Sequence, residues 1–316
     1  MLEEVFNKKS KSRESGYKVI REIFDDTNDL AQYVKKAETT SLFEGDEPSS
    51  FKRVRSTDDF HDFHNFTEAV QALEYGTDIY FEDFKQNIRR VKDFLSRKEL
   101  GQKVTYKNDV VGFMPIVPNV LVGSPINMIN QKLKPKKVPT AKIILEKGNS
   151  ARIKARDMNF FYSIVFVLIQ MLEQKGIRCE IWVTETSRAS GEIAVFKTKI
   201  KNYNQPINLY KIQFPVIASD FLRRIMFRVM ETCPRLTADW TWGYGHPLLC
   251  DDDEFFIEKS KGKPNDDLAE VVGLEDGDVF IPSCQWFDIE EGANLDSAIE
   301  KIIRRTELKR YIDLKE

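Results

Sequence analysis

One stretch constrains the fold of this chain more than any other. It is AKIILEKGNSARIKARDMNFFYSIVFVLIQMLEQKGIRCEIWVTE, residues 141 to 185. The run Ala141 to Glu146 reads as a strand. Glu146 to Ser150 reads as a loop, and Asp157 to Lys175 as a long apolar helix. Gly176 supplies the left-handed stop that often ends a helix, and RCEIWVTE reads as a second strand. Strand, helix and strand in that order imply a parallel pair with a crossover helix. The apolar run Phe160 to Ile169 is too short for a bilayer, which needs about 20 residues, so it is expected to lie in a protein core.

The rest of the chain extends this pattern. IAVFKTKIKN alternates apolar and polar residues as a half-buried strand does. A helix is expected from near Ser219, DGDVFIPSC reads as a further strand, and NLDSAIEKIIRRTELKRYIDL as the last helix. Before residue 138 the character differs. Ile20, Ile23, Phe24, Leu30, Tyr33 and Val34 have helical spacing, with Thr27 or Asn28 as a cap. Thr67 is placed to cap a helix over Val70, Leu73 and Tyr75, stopped at Gly76. Phe81, Phe84, Ile88, Val91 and Leu95 suggest another helix. Residues 102 to 137 are broken by Pro and Gly into short strands and turns. The expected fold class is therefore α+β: a helical N-terminal half and a mostly parallel α/β C-terminal half. The expected divisions are 1–55, a polar helical segment; 56–137, helical and Pro/Gly-rich; and 138–316, the α/β domain.

The totals narrow the function classes. Hydrophobic residues make up 41% and charged residues 31%, and 22 Phe, 10 Tyr and 4 Trp can build a core. A formal net charge of −2 gives no overall field for nucleic acid. Cys179, Cys233, Cys250 and Cys284 are widely spaced, which suits neither a zinc site nor a disulfide framework and fits a reducing cytoplasm. The first residues carry no apolar stretch of the kind found in a signal peptide. There is no phosphate-binding loop, dinucleotide glycine set, kinase set or HExxH motif, so no cofactor is expected.

Several clusters carry possible chemistry. His61 and His64 are three residues apart and would share a helix face, which allows a two-histidine metal clip or an ordinary polar helix start. Residues 240 to 256 gather Trp240, Trp242, Tyr244, His246, Cys250, Asp251, Asp252 and Asp253. Aromatic anchors beside an acidic run suit a protein interface, while Cys with His nearby suits a nucleophile. Arg223, Arg224 and Arg228 could grip phosphates or an acidic partner. Gln131 to Lys137 and Asn7 to Arg13 are basic clusters, which bind phosphates or serve as linkers.

Three blocks, NFTEAVQALEYG, VVGFMPIVPNVLVGSPINMIN and ASDFLRRIMFRVMET, resemble those of a family of uncharacterised bacteriophage proteins. The resemblance spans roughly residues 25 to 305 and implies a phage setting. The second half is also similar in layout to a von Willebrand factor A domain. Such domains hold Mg²⁺ through a DxSxS loop after their first strand. The matching residues here are Glu146, Lys147, Gly148, Asn149 and Ser150, so only Ser150 keeps the pattern. Hard cations need converging oxygens, and Lys147 would repel one, so no metal is expected at Glu146 and Ser150. The resemblance implies a non-enzymatic phage protein that binds a host or virion protein, or another copy of itself, in the host cell cytoplasm and not at a membrane. The alternative is a phage protein that binds or processes nucleic acid through its basic clusters.

Overall fold

The computed structural model describes residues 1–9, 16–36, 60–82, 85, 89, 93, 106–110, 114–131, 139–189, 191–237, 244, 246–248, 257–258, 263–264, 266–290 and 292–312. The chain opens with two strands, β1 (Leu2–Lys8) and β2 (Tyr17–Phe24), followed by α1 (Thr27–Lys36) and α2 (Phe66–Tyr75). A small group follows: β3 (Tyr106–Asp109), β4 (Met114–Pro115), α3 (Val117–Leu121) and β5 (Met128–Gln131). Next come β6 (Thr140–Glu146), α4 (Ala155–Gln174), β7 (Arg178–Ala189), β8 (Glu192–Lys201) and α5 (Leu209–Ile217). A π-helical turn, Phe221–Met226, leads into α6 (Phe227–Thr232). The remaining elements among the described residues are β9 (His246–Pro247), β10 (Ile257–Glu258), β11 (Lys263–Pro264), α7 (Asp266–Val272), β12 (Val279–Ile281), α8 (Cys284–Phe287), α9 (Leu295–Arg305) and a 3-10 turn, Glu307–Arg310.

The fold is mixed α/β around a seven-stranded sheet of order β1-β2-β8-β7-β6-β12, with β9 on β7. Parallel pairings join β2 to β8, β7 to β6 and β6 to β12; β1–β2, β7–β8 and β7–β9 are antiparallel. β7 has 12 residues and β6 has 7, so β7 outruns its neighbour. The bare end at Ser187 and Arg188 is taken by Pro247 and His246 of β9.

The stretch from residue 141 to 185 forms the expected unit. Gly176 has φ of 80° and ends the crossover helix. α4 is long and apolar enough to cross a membrane by length and composition, yet Phe161, Tyr162 and the run Ile164 to Ile169 are enclosed by protein. They join one large core cluster with Leu30, Val70, Phe214, Ile225 and Ile302. A smaller cluster on the other sheet face packs Leu268, Val271 and Val272 of α7 on Val19, Ile144, Trp182 and Val195.

The N-terminus corrects the sequence reading. Residues 17 to 24 form a strand, not a helix, and the polar segment enters the central sheet. β2 lies between β1 and β8, which occupy its two edges, and a core cluster covers each of its faces. Ile20 and Phe24 face the large cluster, and Val19 and Ile23 face the small one. A strand buried on two faces loses its alternation, and the apolar residues left behind mimic helical spacing. Caps also move. Asp26 caps α1 by accepting from Asn28 N and Asp29 N, both at 2.8 Å. Asn65 caps α2, accepting from Glu68 N at 2.9 Å. Beyond residue 201, the helical run expected near Ser219 starts there and continues through the π-helical turn into α6, but a separate helix, α5, precedes it from Leu209 and carries Pro215 inside it.

Candidate functional site

The carboxyl ends of β6 and β12 are where open α/β sheets place ligands. Here protein groups fill that position. Glu146 turns back over the end of β6, and its Oε1 accepts from Gly148 N at 2.7 Å and Thr186 N at 3.0 Å. A Cβ on Gly148 would lie 2.6 Å from that oxygen and 3.0 Å from Thr186 O, so the loop needs glycine there. Lys147 points inward and is fully buried. Its Nζ donates to Val216 O at 3.0 Å and Ile217 O at 3.3 Å, and lies 3.8 Å from the Tyr162 ring centroid. Those carbonyls end α5, so the side chain closes a helix C-terminus. Burial pushes the Lys147 amine down to about 7. Asn149 Nδ2 donates to Lys147 O at 2.9 Å, and Cys284 Sγ donates to Asn149 Oδ1 at 3.0 Å. Ser150 N donates to Gln285 Oε1 at 3.1 Å. The loop that the resemblance matched to a metal site is thus tied to the start of α8.

Two buried carboxyl groups lie close by. Glu185 accepts from Ser187 Oγ, and burial pushes it up to about 8. Glu146 is raised well above the usual carboxylate range, first by burial and then by the nearby Glu185. Among the described residues, no three His, Cys, Asp or Glu side chains stand together in a way that could hold a metal ion.

A second polar network fixes residues 60 to 65. Asp220 is fully buried just before the π-helical turn. Its Oδ1 lies 2.7 Å from His61 Nδ1 and 2.8 Å from Arg224 Nε, while Oδ2 accepts from Asp62 N at 2.5 Å and Phe63 N at 2.8 Å. Asp62 in turn accepts from Ser219 Oγ at 2.8 Å and Asn159 Nδ2 at 2.7 Å. His64 is exposed, with its backbone N–H on Glu68, so the two histidines do not converge.

The three arginines expected to meet phosphates are inside the protein. Arg223 donates to Phe60 O and Ile153 O, and Arg224 to Phe63 O at 2.9 Å. Arg228 is 3% exposed, and its Nη1 lies 3.8 Å from Glu231. The π-helical turn carries Arg223 and Arg224 into the core, where their guanidinium groups serve backbone carbonyls of Phe60, Ile153 and Phe63.

Of the aromatic and acidic segment, Trp240, Trp242, Cys250, Asp251, Asp252 and Asp253 lie outside the described residues. Tyr244 is half-buried, its ring stacked on Phe227 with centroids 3.7 Å apart and its hydroxyl donating to Glu231. His246 is exposed in β9. Most of both basic clusters is also outside the described residues; Lys8 pairs with Asp267 at 2.9 Å and with Glu270.

What does stand open is the small sheet β3-β5-β4 with α3. No residue from 108 to 129 whose burial is described is buried. Val110, Met114, Val117, Val120, Leu121, Val122 and Ile126 are all exposed, Leu121 by 81% and Val122 by 78%. Single exposed apolar residues are ordinary, but seven within 17 residues of chain are an unusual concentration.

The chain belongs to the DUF7192 family, a domain of unknown function. The family model matches residues 7–308, which takes in the central sheet from β2 to β12, both polar networks and the small sheet. No curated protein and no solved structure matches the chain.

Sequence reasoning found the Glu146–Ser150 loop but missed that Lys147 turns inward. It noted Arg223, Arg224 and Arg228 but not Asp220, whose place just ahead of Arg223 and Arg224 was the available signal. It saw residues 110–126 only as punctuated strands and turns. The signal there was a nearly charge-free apolar run broken by Pro and Gly.

Proposed function

We propose that the chain is a non-enzymatic protein-interaction module whose docking face is the apolar surface of residues 110–126. The exposure of those seven side chains carries the reading. Residues 102 to 137 contain six lysines, Lys103, Lys107, Lys132, Lys134, Lys136 and Lys137, against one acid, Asp109. The fitting partner is a protein with an apolar patch rimmed by carboxylates, since apolar contact supplies affinity and opposite charge supplies orientation. In the phage setting implied by the sequence resemblance, that partner is a host or virion protein met in the host cytoplasm. The strand order β8-β7-β6-β12, with β7 and β8 antiparallel, supports a von Willebrand A-like reading of the C-terminal half. Domains of that kind commonly serve as interaction platforms. The nucleic-acid alternative rests on the basic clusters at 7–13 and 131–137, most of which lie outside the described residues; it draws no support from Arg223, Arg224 and Arg228, which are enclosed.

The test is capture from an extract of infected bacteria by the protein and by its Leu121→Asp, Val122→Asp double variant. Both side chains are exposed, so the melting temperature should stay the same. The parent should retain one dominant protein, less of it at high salt, and the variant should lose it. Equal capture by both would sink the assignment of the face. Retention of DNA or RNA in place of a protein would favour the alternative.

A further inference from the structure

The first strand of the sheet has an open edge. β1 pairs with β2 along its whole length, from Leu2↔Ile23 to Lys8↔Tyr17. Its other side is the rim of the sheet, and among the described residues no strand pairs with it there. The sequence LEEVFNK holds neither Pro nor Gly, so the edge offers an unbroken row of backbone donors and acceptors. Leu2 and Val5 are exposed by 55% and 51%.

We propose that β1 pairs antiparallel with β1 of a second copy, about a two-fold axis at Val5. The register follows from symmetry and charge. A two-fold axis normal to a sheet keeps each side chain on its face, and paired residues share a face. One residue must therefore sit on the axis opposite itself. With Glu4 on the axis, two carboxylates face each other and Asn7 and Lys8 are left unpaired. With Phe6 on the axis, Leu2 and Glu3 are left unpaired. With Val5 on the axis, all seven residues pair, and the two exposed valines cover each other. Leu2 then faces Lys8 of the second copy, Glu3 faces Asn7, and Glu4 faces Phe6. No like charges stand directly opposite, an arrangement that would be destabilising.

The charges on this strand are also compensated within each copy. Glu4 is held by Arg21, and Lys8 by Asp267 and Glu270. The strand can thus meet its copy without leaving a bare charge at the seam. The contact is isologous and closes at two copies. A single edge-to-edge seam is small, so the dissociation constant is expected on the order of micromolar. This surface is separate from the apolar face of residues 110–126.

Sedimentation of the full chain, from about 1 to about 100 µM, bracketing that micromolar constant, should show monomer giving way to dimer. Val5→Lys places two lysines directly opposite each other across the axis, with Cβ atoms about 5 Å apart, so that like charges oppose. It should remain monomeric throughout with an unchanged melting temperature, since Val5 is exposed. In a Cys250→Ser background, Val5→Cys should form an intermolecular disulfide on mild oxidation and Asn7→Cys should not; Cys179, Cys233 and Cys284 are buried. The Leu121→Asp, Val122→Asp double variant should still dimerise. A parent that stays monomeric, a Val5→Lys protein that still dimerises, cross-linking at residue 7 in preference to residue 5, or loss of the dimer in the double variant would each overturn the proposal.

Discussion

Replacing Asp220 by Ala should be among the most destabilising single changes in this protein. Its carboxylate meets four groups: the His61 ring, the backbone N–H groups of Asp62 and Phe63, and the Arg224 guanidinium. Asp220 and Arg224 are both fully buried. Removing one partner of a buried ion pair costs about 3–5 kcal/mol, because the other charge is left uncompensated. Two backbone N–H groups also lose their acceptor, at about 1–3 kcal/mol each if they stay dry. These costs overlap, since segment 60–65 can loosen and let water in, so the expected total is about 4–6 kcal/mol. Chemical denaturation, followed by both fluorescence and circular dichroism, would measure it. Arg224→Met should also destabilise, but the double variant should lose less than the sum, because it leaves no stranded guanidinium. A loss below about 1 kcal/mol for Asp220→Ala, or strict additivity in the cycle, would show that the network is not an energetic unit.

Two further expectations follow from the loop after β6. Burial raises Glu185 to about 8 and raises Glu146 in the same direction, so the folded state holds protons that the unfolded state releases near pH 4.5. Their contribution is complete below that pH and is lost as pH rises through about 8, so Glu185→Gln should flatten the fall in stability between about pH 5 and 8, read from melts across that range. Lys147, lowered to about 7, acts oppositely: its burial penalty fades as pH rises from 7 towards 10.5, so it partly offsets the loss above neutrality. Mg²⁺ should not raise the melting temperature, because Glu146 Oε1 already holds two N–H groups and a lysine ammonium shares the loop. Saturation at 100 times a dissociation constant would add about 2.7 kcal/mol, and a rise of that size abolished by Ser150→Ala would show a metal site.

The parts of the fold legible in the sequence are those where one local rule acts alone. The crossover unit from β6 to β7 could be read because its helix is long, its strands are apolar and Gly176 stops it. β12 and α9 were legible for similar reasons, and so was Gly76 after α2. The strand Tyr17–Phe24 was not, because covering both faces removes the alternation that marks a strand. The direction of Arg223, Arg224 and Arg228 was hidden for a related reason. A π-helical turn carries more residues per turn than an α-helix, so face assignments made at 3.6 residues drift off register. Polarity misled as well. A run of three cations in a helix reads as a solvated or phosphate-binding face, yet here the irregular backbone around Phe60, Phe63 and Ile153 requires internal donors.

Lys147 shows the same principle and bears on function. α5 carries Pro215 and stops at Ala218, which leaves the carbonyls of Val216 and Ile217 to be satisfied from outside the helix. Water could do this only if the carboxyl end of the sheet stayed open. A lysine from the neighbouring loop does it instead, with Tyr162 stacked beneath its ammonium. Arg223 and Arg224 treat the carbonyls of Phe60, Ile153 and Phe63 in the same way. The region where open α/β sheets place a ligand is thereby fixed by the chain's own cations and carboxylates. A nucleophile or general base must reach its substrate, whereas Lys147, Glu146 and Glu185 are sealed, with their shifts set chiefly by burial. On the reading proposed above, recognition falls to the exposed apolar residues between 110 and 126 and to the edge of β1, which has no second strand partner among the described residues.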